Sequence, residues 1–178
     1  MRHSLILALI VAALVYSGCR QEPGDHEGKL IVGAEVELLS VHPDDRTPDT
    51  DNTELIDRWP VLGSIMLSAD ERGQVVTELE QCIANSDGSL ASCFEPRHAI
   101  RSKVGTITHT YLICFECAQI YHMVDGDWQP PAGHDQLETE LGPSEESHVA
   151  EIIPITAQAS GTLNALLTKH GVPLAPSP

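Results

Sequence analysis

The chain has 178 residues, of which 26 are acidic and 10 basic, for a formal charge of −16 at neutral pH. A surface of that sign repels nucleic-acid phosphates and anionic headgroups, which argues against nucleic acid as a partner. The length suits one domain with its own hydrophobic core rather than a stapled mini-protein.

In chain order, Met1-Arg2-His3 gives a short positive start, and residues 4–16 form an uncharged apolar run. That is the layout of a signal peptide. The run falls short of the roughly 20 residues needed to cross a hydrocarbon core, and no later stretch reaches that length. It ends in Leu14-Val15-Tyr16-Ser17-Gly18-Cys19, which resembles the lipobox cut by bacterial signal peptidase II immediately before a lipid-accepting cysteine. Ser17, Gly18 and Cys19 fit that pattern, while Tyr16 stands where an aliphatic residue is preferred. The resemblance implies a lipoprotein signal peptide over residues 1–18 and lipidation of Cys19. Two or more acyl chains hold a protein stably at a membrane surface. Arg20 rather than Asp follows Cys19, which implies the outer membrane if the host has two. Loss of Arg2 with the signal peptide leaves the exported chain more negative by one charge.

Residues 19–29 then read as a lipidated cysteine with a polar, flexible tether, and residues 30–178 as a single globular domain. Residues 30–41 are rich in Val, Ile and Leu and partly alternate, as in a half-buried strand. Residues 42–54 hold Pro43, Pro48 and many Asp, which excludes a regular element. A second strand is expected over residues 59–67. A helix follows directly: Ser68 and Glu71 make a capping box, Val75, Val76, Leu79, Cys82 and Ile83 recur at helical spacing, and residues 85–88 end it.

Residues 98–103 and 106–123 read as consecutive strands turning near Gly105, the second too β-branched and aromatic to favour a helix. Its centre, residues 111–115, is apolar on both parities, as expected of an inner strand covered on both faces. Asp125-Gly126 supplies a turn, and residues 125–150 read as a long surface loop. The cluster at 152–155 suggests a short strand that Pro154 confines to an edge. A last helix presents Leu163, Leu166 and Leu167, carries Lys169 and His170 at its negative end, and is closed by Gly171 and Pro173. The expected fold is α+β: a mainly antiparallel sheet of about five strands with two helices packed on one face. A helix between strands also permits one parallel crossover.

Four cysteines remain beyond Cys19: Cys82, Cys93, Cys114 and Cys117. Outside the cytoplasm an even count suggests two disulfides, with three possible connectivities. A Cys82–Cys93 bridge needs only the NSDGS loop to bend, and would stabilise by about 3 kcal/mol in the chain-entropy model. Cys114 and Cys117 are harder to place. Residues three apart in a regular strand point to opposite faces with Cα atoms about 10 Å apart, beyond the roughly 7 Å reach of a disulfide. Either the strand breaks at Phe115-Glu116 or each cysteine has its own partner. If the chain turns there, Cys93, His98, Cys114 and Cys117 compose a Cys3His set that zinc accepts, although an oxidising compartment opposes free thiolates.

Other chemistries fail on residue type. Covalent haem needs His after CxxC, where Ala118 stands, and a thioredoxin-like site wants its CxxC at a helix N-terminus. His109, His122, His134 and His148 match no ligand spacing and read as surface histidines. No GxSxG, HExxH, Walker-type or EF-hand loop occurs.

At CFEPRHAIR (93–101), YLICFECAQI (111–120) and GVPLA (171–175), the chain resembles a group of small exported bacterial proteins without an established biochemical activity. The resemblance covers roughly residues 60–125 and the C-terminal tail. In that group cysteines matching Cys93, Cys114 and Cys117 recur with a histidine matching His98, which implies one constellation but no catalytic role. The expected protein is thus a membrane-anchored envelope lipoprotein, non-enzymatic, with a structural Cys/His cluster held by disulfides or zinc. The alternative is a thiol–disulfide enzyme or redox sensor using Cys114 and Cys117.

Overall fold

The computed structural model describes residues 30, 32–44, 53–126, 148–156 and 160–176. The segment expected to be a signal peptide, Cys19 and the expected tether lie outside these residues, as do positions 45–52 of the expected acidic loop and 127–147 of the expected later one. The elements are β1 (Val36–Val41), β2 (Leu55–Ile56), β3 (Trp59–Met66), α1 (Ala69–Ala84), β4 (His98–Val104), β5 (Ile107–Cys114), β6 (Gln119–Asp125), β7 (His148–Pro154) and α2 (Ser160–Lys169). No helix among the described residues is long and apolar enough to cross a membrane.

The fold is α+β, with seven strands in the order β2-β3-β1-β4-β5-β6-β7, and every neighbouring pair is antiparallel. The expected count of about five is corrected for two physical reasons. β2 is a two-residue pairing, too short to show a period. The expected single strand over 106–123 is two strands, because the chain reverses between Cys114 and Gln119, which pair with each other. β7 also begins at His148, inside the stretch read as loop, and occupies the sheet edge to which Pro154 restricts it. Since β1 is antiparallel to both β3 and β4, those two strands run parallel, and α1 is the crossover between them.

Strand alternation sorts the apolar residues into two clusters. Val36 and Leu38 of β1, Ile100 of β4 and Tyr111 and Ile113 of β5 pack with Val75, Leu79 and Cys82 of α1 and Leu163, Leu166 and Leu167 of α2. Residues of the other parity, Leu39, Val41, Ala99 and Leu112, join Ile56, Trp59 and Met123 in the second cluster. β5 is buried continuously from His109 to Cys114, as its double-sided apolar pattern requires.

Local chemistry sets the helix ends. Ser68 and Glu71 form the capping box, with the Ser68 N–H donating to Glu71 Oε2 at 3.0 Å and the Glu71 N–H donating to Ser68 Oγ at 3.4 Å. The same carboxylate accepts from Lys169 Nζ at 2.8 Å and meets His170 Nε2 at 3.0 Å, so the start of α1 is tied to the end of α2. Those partners hold Glu71 well below the usual carboxylate range, His170 contributing most. At the end of α2, Gly171 adopts φ 73° and the Val172 N–H reaches back to the Leu167 carbonyl at 2.9 Å, a left-handed helix cap.

Candidate functional site: a three-cysteine cluster

Residues 115–118 form the tight reversal between β5 and β6. Ala118 sits at φ 53°, a conformation that a side chain disfavours, and its N–H donates to the Phe115 carbonyl at 3.2 Å. The reversal brings the Cα atoms of Cys114 and Cys117 to 5.2 Å, and the two are joined as a disulfide. The Cys117 N–H donates to the sulfur of Cys114 at 3.2 Å. Of the two alternatives open at sequence level, the broken strand is the one adopted.

Cys93 arrives from the connection between α1 and β4. Its sulfur lies 3.3 Å from that of Cys117. Two contacts fix the segment there: Gln119 Nε2 donates to the Cys93 carbonyl at 2.8 Å, and Phe94 stacks on Tyr121 with centroids 3.6 Å apart and planes 5° from parallel. Trp59 also meets Phe94, edge-on at 5.4 Å. Cys93 is exposed, whereas Cys114 and Cys117 are 0% and 1% accessible. Solvent thus reaches the cluster at Cys93.

His98 does not join these sulfurs. It pairs with Ile113 across β4 and β5, and paired residues share a face while neighbours alternate. Its side chain therefore faces α2, with Ile113, while that of Cys114 faces the opposite side. His98 Nε2 meets Asn164 Oδ1 at 2.8 Å, so Nε2 carries the proton and Nδ1, buried and without a partner among the described residues, is a bare acceptor. Burial lowers the imidazole pKa against the opposing effect of the Asn164 bond. Beside it lies a cavity of about 150 Å³ bordered by Arg97, Phe115, Glu116, Ser160 and Asn164. Among the described residues, no set of three or more His, Cys, Asp or Glu is disposed to hold a metal ion. The structure thus brings together Cys93, Cys114 and Cys117 of the expected set, with His98 across the sheet.

The Cys82–Cys93 bridge is not formed. Both thiols are free, since Cys82 lies on the buried face of α1 while Cys93 sits against Cys117.

Two histidines expected at the surface are buried instead. His109 and His122 are 3% and 5% accessible. His109 Nδ1 lies 3.0 Å from His122 Nε2, and Tyr111 stacks on His122 at 4.4 Å. Burial lowers both pKa values, that of His122 to about 4 with the His109 charge as a second cause. The β5–β6 register explains the pair: Tyr111 lies opposite His122, which makes His109 its diagonal neighbour on the same face. The hairpin register was the missing signal. His134 lies outside the described residues, and His148 begins β7.

No family model matches the chain, and no curated protein and no solved structure gives a significant match.

Proposed function

We propose that this chain is a lipid-anchored envelope lipoprotein whose exported acidic domain has a structural, non-catalytic cysteine cluster. The anchor reading is supported by the segment ending Ser17-Gly18-Cys19, which resembles a lipobox. Arg20 favours the outer membrane where the host has two, the lipid supplies the membrane contact, and the charge disfavours nucleic acid. The observation that carries the structural reading is the meeting of Cys93 with the Cys114–Cys117 disulfide, 3.3 Å from the Cys117 sulfur. Disulfide is preferred over zinc because the imidazole that would complete a Cys3His set faces the other side of the sheet. The placement of both helices on one face is likewise an inference, supported by the single cluster their buried leucines share.

The test uses the full chain purified from bacterial membranes in detergent, with mass spectrometry of the N-terminal peptide, thiol titration and metal analysis on one sample. The expected result is an acylated Cys19 and a protected Cys114–Cys117 pair. An unmodified Cys19 refutes the anchor. Four free thiols without metal refute the structural cluster.

The second reading, thiol–disulfide chemistry at Cys114 and Cys117, is favoured by one observation: a free thiol is already in contact with the disulfide.

A further inference from the structure

Building on the cysteine cluster proposed above, the geometry points to an internal thiol–disulfide exchange in which Cys93 attacks Cys117 and releases Cys114. The domain then alternates between a Cys114–Cys117 and a Cys93–Cys117 cross-link. Exchange proceeds by attack of a thiolate on one sulfur of a disulfide, and its rate depends on access, on which sulfur is attacked and on how readily the other leaves. Each requirement has a counterpart here.

Access is met because the Cys93 sulfur lies 3.3 Å from that of Cys117. The attacked atom is defined, since Cys117 is the sulfur that Cys93 touches. The departing atom is assisted, because the Cys117 N–H donates to the Cys114 sulfur at 3.2 Å and such a bond strengthens as negative charge develops. The approach is maintained by the Gln119 bond to the Cys93 carbonyl and by the Phe94–Tyr121 stack.

The step balances within the chain. Cys93 gives its proton to solvent, and its electron pair forms the new bond to Cys117. The pair of the old bond leaves with Cys114, which takes a proton from solvent. One disulfide and one thiol exist before and after, so neither oxidant nor reductant is consumed. The consequence is directional. Cys114 and Cys117 are buried, while Cys93 is exposed, so a thiol or disulfide arriving from solvent meets Cys93 first and reaches the buried pair through it. In one state the cross-link closes only the β5–β6 turn; in the other it fastens the α1–β4 connection to that turn.

The exchange is tested on the full chain in detergent by rapid acid quench, denaturation, alkylation with N-ethylmaleimide and mass spectrometry of non-reduced peptides. Expected are both the Cys114–Cys117 and the Cys93–Cys117 peptides in one sample, with Cys114 alkylated in proportion to the second. A Cys114→Ser chain, reduced and then treated with equimolar micromolar oxidised glutathione, closes Cys93–Cys117 at least about tenfold in preference to a glutathione adduct, since tethered groups reach effective concentrations in the millimolar range. Cys93 fully alkylated in every quench, with glutathione rather than Cys117 on Cys93 in the serine variant, overturns the exchange and leaves the structural cluster standing. Stoichiometric zinc on three protected thiols does the same. Four free thiols without metal overturn both.

Discussion

The buried pair His109–His122 makes stability depend on pH in a way one substitution isolates. Burial holds His122 at a pKa of about 4 in the folded chain, against an ordinary value of 6.5. A histidine whose pKa is depressed by folding gives up its proton to fold. Its contribution is complete above pH 6.5, is lost as pH falls from 6.5 toward 4, and levels off below. A tenfold change in proton affinity is worth about 1.4 kcal/mol, so linkage yields a loss of about 2 kcal/mol by pH 5 and about 3 kcal/mol near pH 4. Substituting His122→Phe keeps a ring against Tyr111, removes the His122 titration and leaves the buried His109 Nδ1 without its partner, at a cost of about 1–3 kcal/mol at pH 7. The variant is therefore less stable than the wild type at pH 7, and the gap closes by about 2 kcal/mol at pH 5. Urea unfolding at pH 7, 6 and 5, followed by tryptophan fluorescence, measures the difference, and acidic residues common to both chains cancel in it. Parallel stability curves, with a gap that stays constant from pH 7 to 5, would refute the buried, neutral pair.

Four further outcomes follow from packing and capping. Leu79 of α1 is fully buried, so Leu79→Ala should cost about 2–5 kcal/mol in urea unfolding, and a cost under about 1 kcal/mol would mean that α1 does not cover the sheet there. Ser68→Ala removes the capping box and should cost about 1 kcal/mol, with amide exchange rising first at the start of α1. At Gly33 an added Cβ runs into the Lys103 carbonyl, while the Gly33 N–H donates to Ser102 Oγ at 2.7 Å. Gly33→Ala should thus destabilise by roughly 1–3 kcal/mol, as for other overpacked sites, whereas Gly73→Ala, with open space around its Cβ position, should stabilise by up to about 1 kcal/mol.

Elements whose causes are local could be read from the residues themselves. The start of α1 needs only Ser68 and Glu71, and the end of α2 needs only Gly171 and a backward bond from Val172. The edge position of β7 follows from Pro154. The β5–β6 reversal had no such marker, since Phe115-Glu116-Cys117-Ala118 holds neither Gly nor Pro and Ala118 takes a left-handed conformation that its residue type disfavours. What holds this turn is the Cys114–Cys117 link across it and a tertiary contact, the Arg97 Nε to Glu116 Oε1 ion pair at 3.3 Å. Without that turn, two strands merge into one, the His109–His122 diagonal is hidden, and His98 is grouped with sulfurs from which the sheet separates it.

The position of the cluster follows from how the second core cluster is covered. The buried residues of both helices belong to the first core cluster, while Leu39, Leu112 and Met123 belong to the second, which includes no buried helix residue among those described. Among the described residues, the α1–β4 connection contributes to it through Phe94, which contacts both Trp59 and Tyr121. Much of that connection is exposed, residues 87–93 throughout and Leu90 at 52%, and ordering each of its residues costs about 1–2 kcal/mol of backbone entropy. One aromatic stack, worth about 0.5–1.5 kcal/mol beyond its area, and one amide bond to the Cys93 carbonyl offset only part of that. A sulfur contact at the residue preceding Phe94 is where a covalent constraint would act most directly on the stack. Closing the loop from Cys93 to Cys117 would add about 3 kcal/mol in the chain-entropy model. The three cysteines therefore stand where the α1–β4 connection meets the β5–β6 turn beside the second core cluster, and the thiol that solvent reaches is the one carried by that connection.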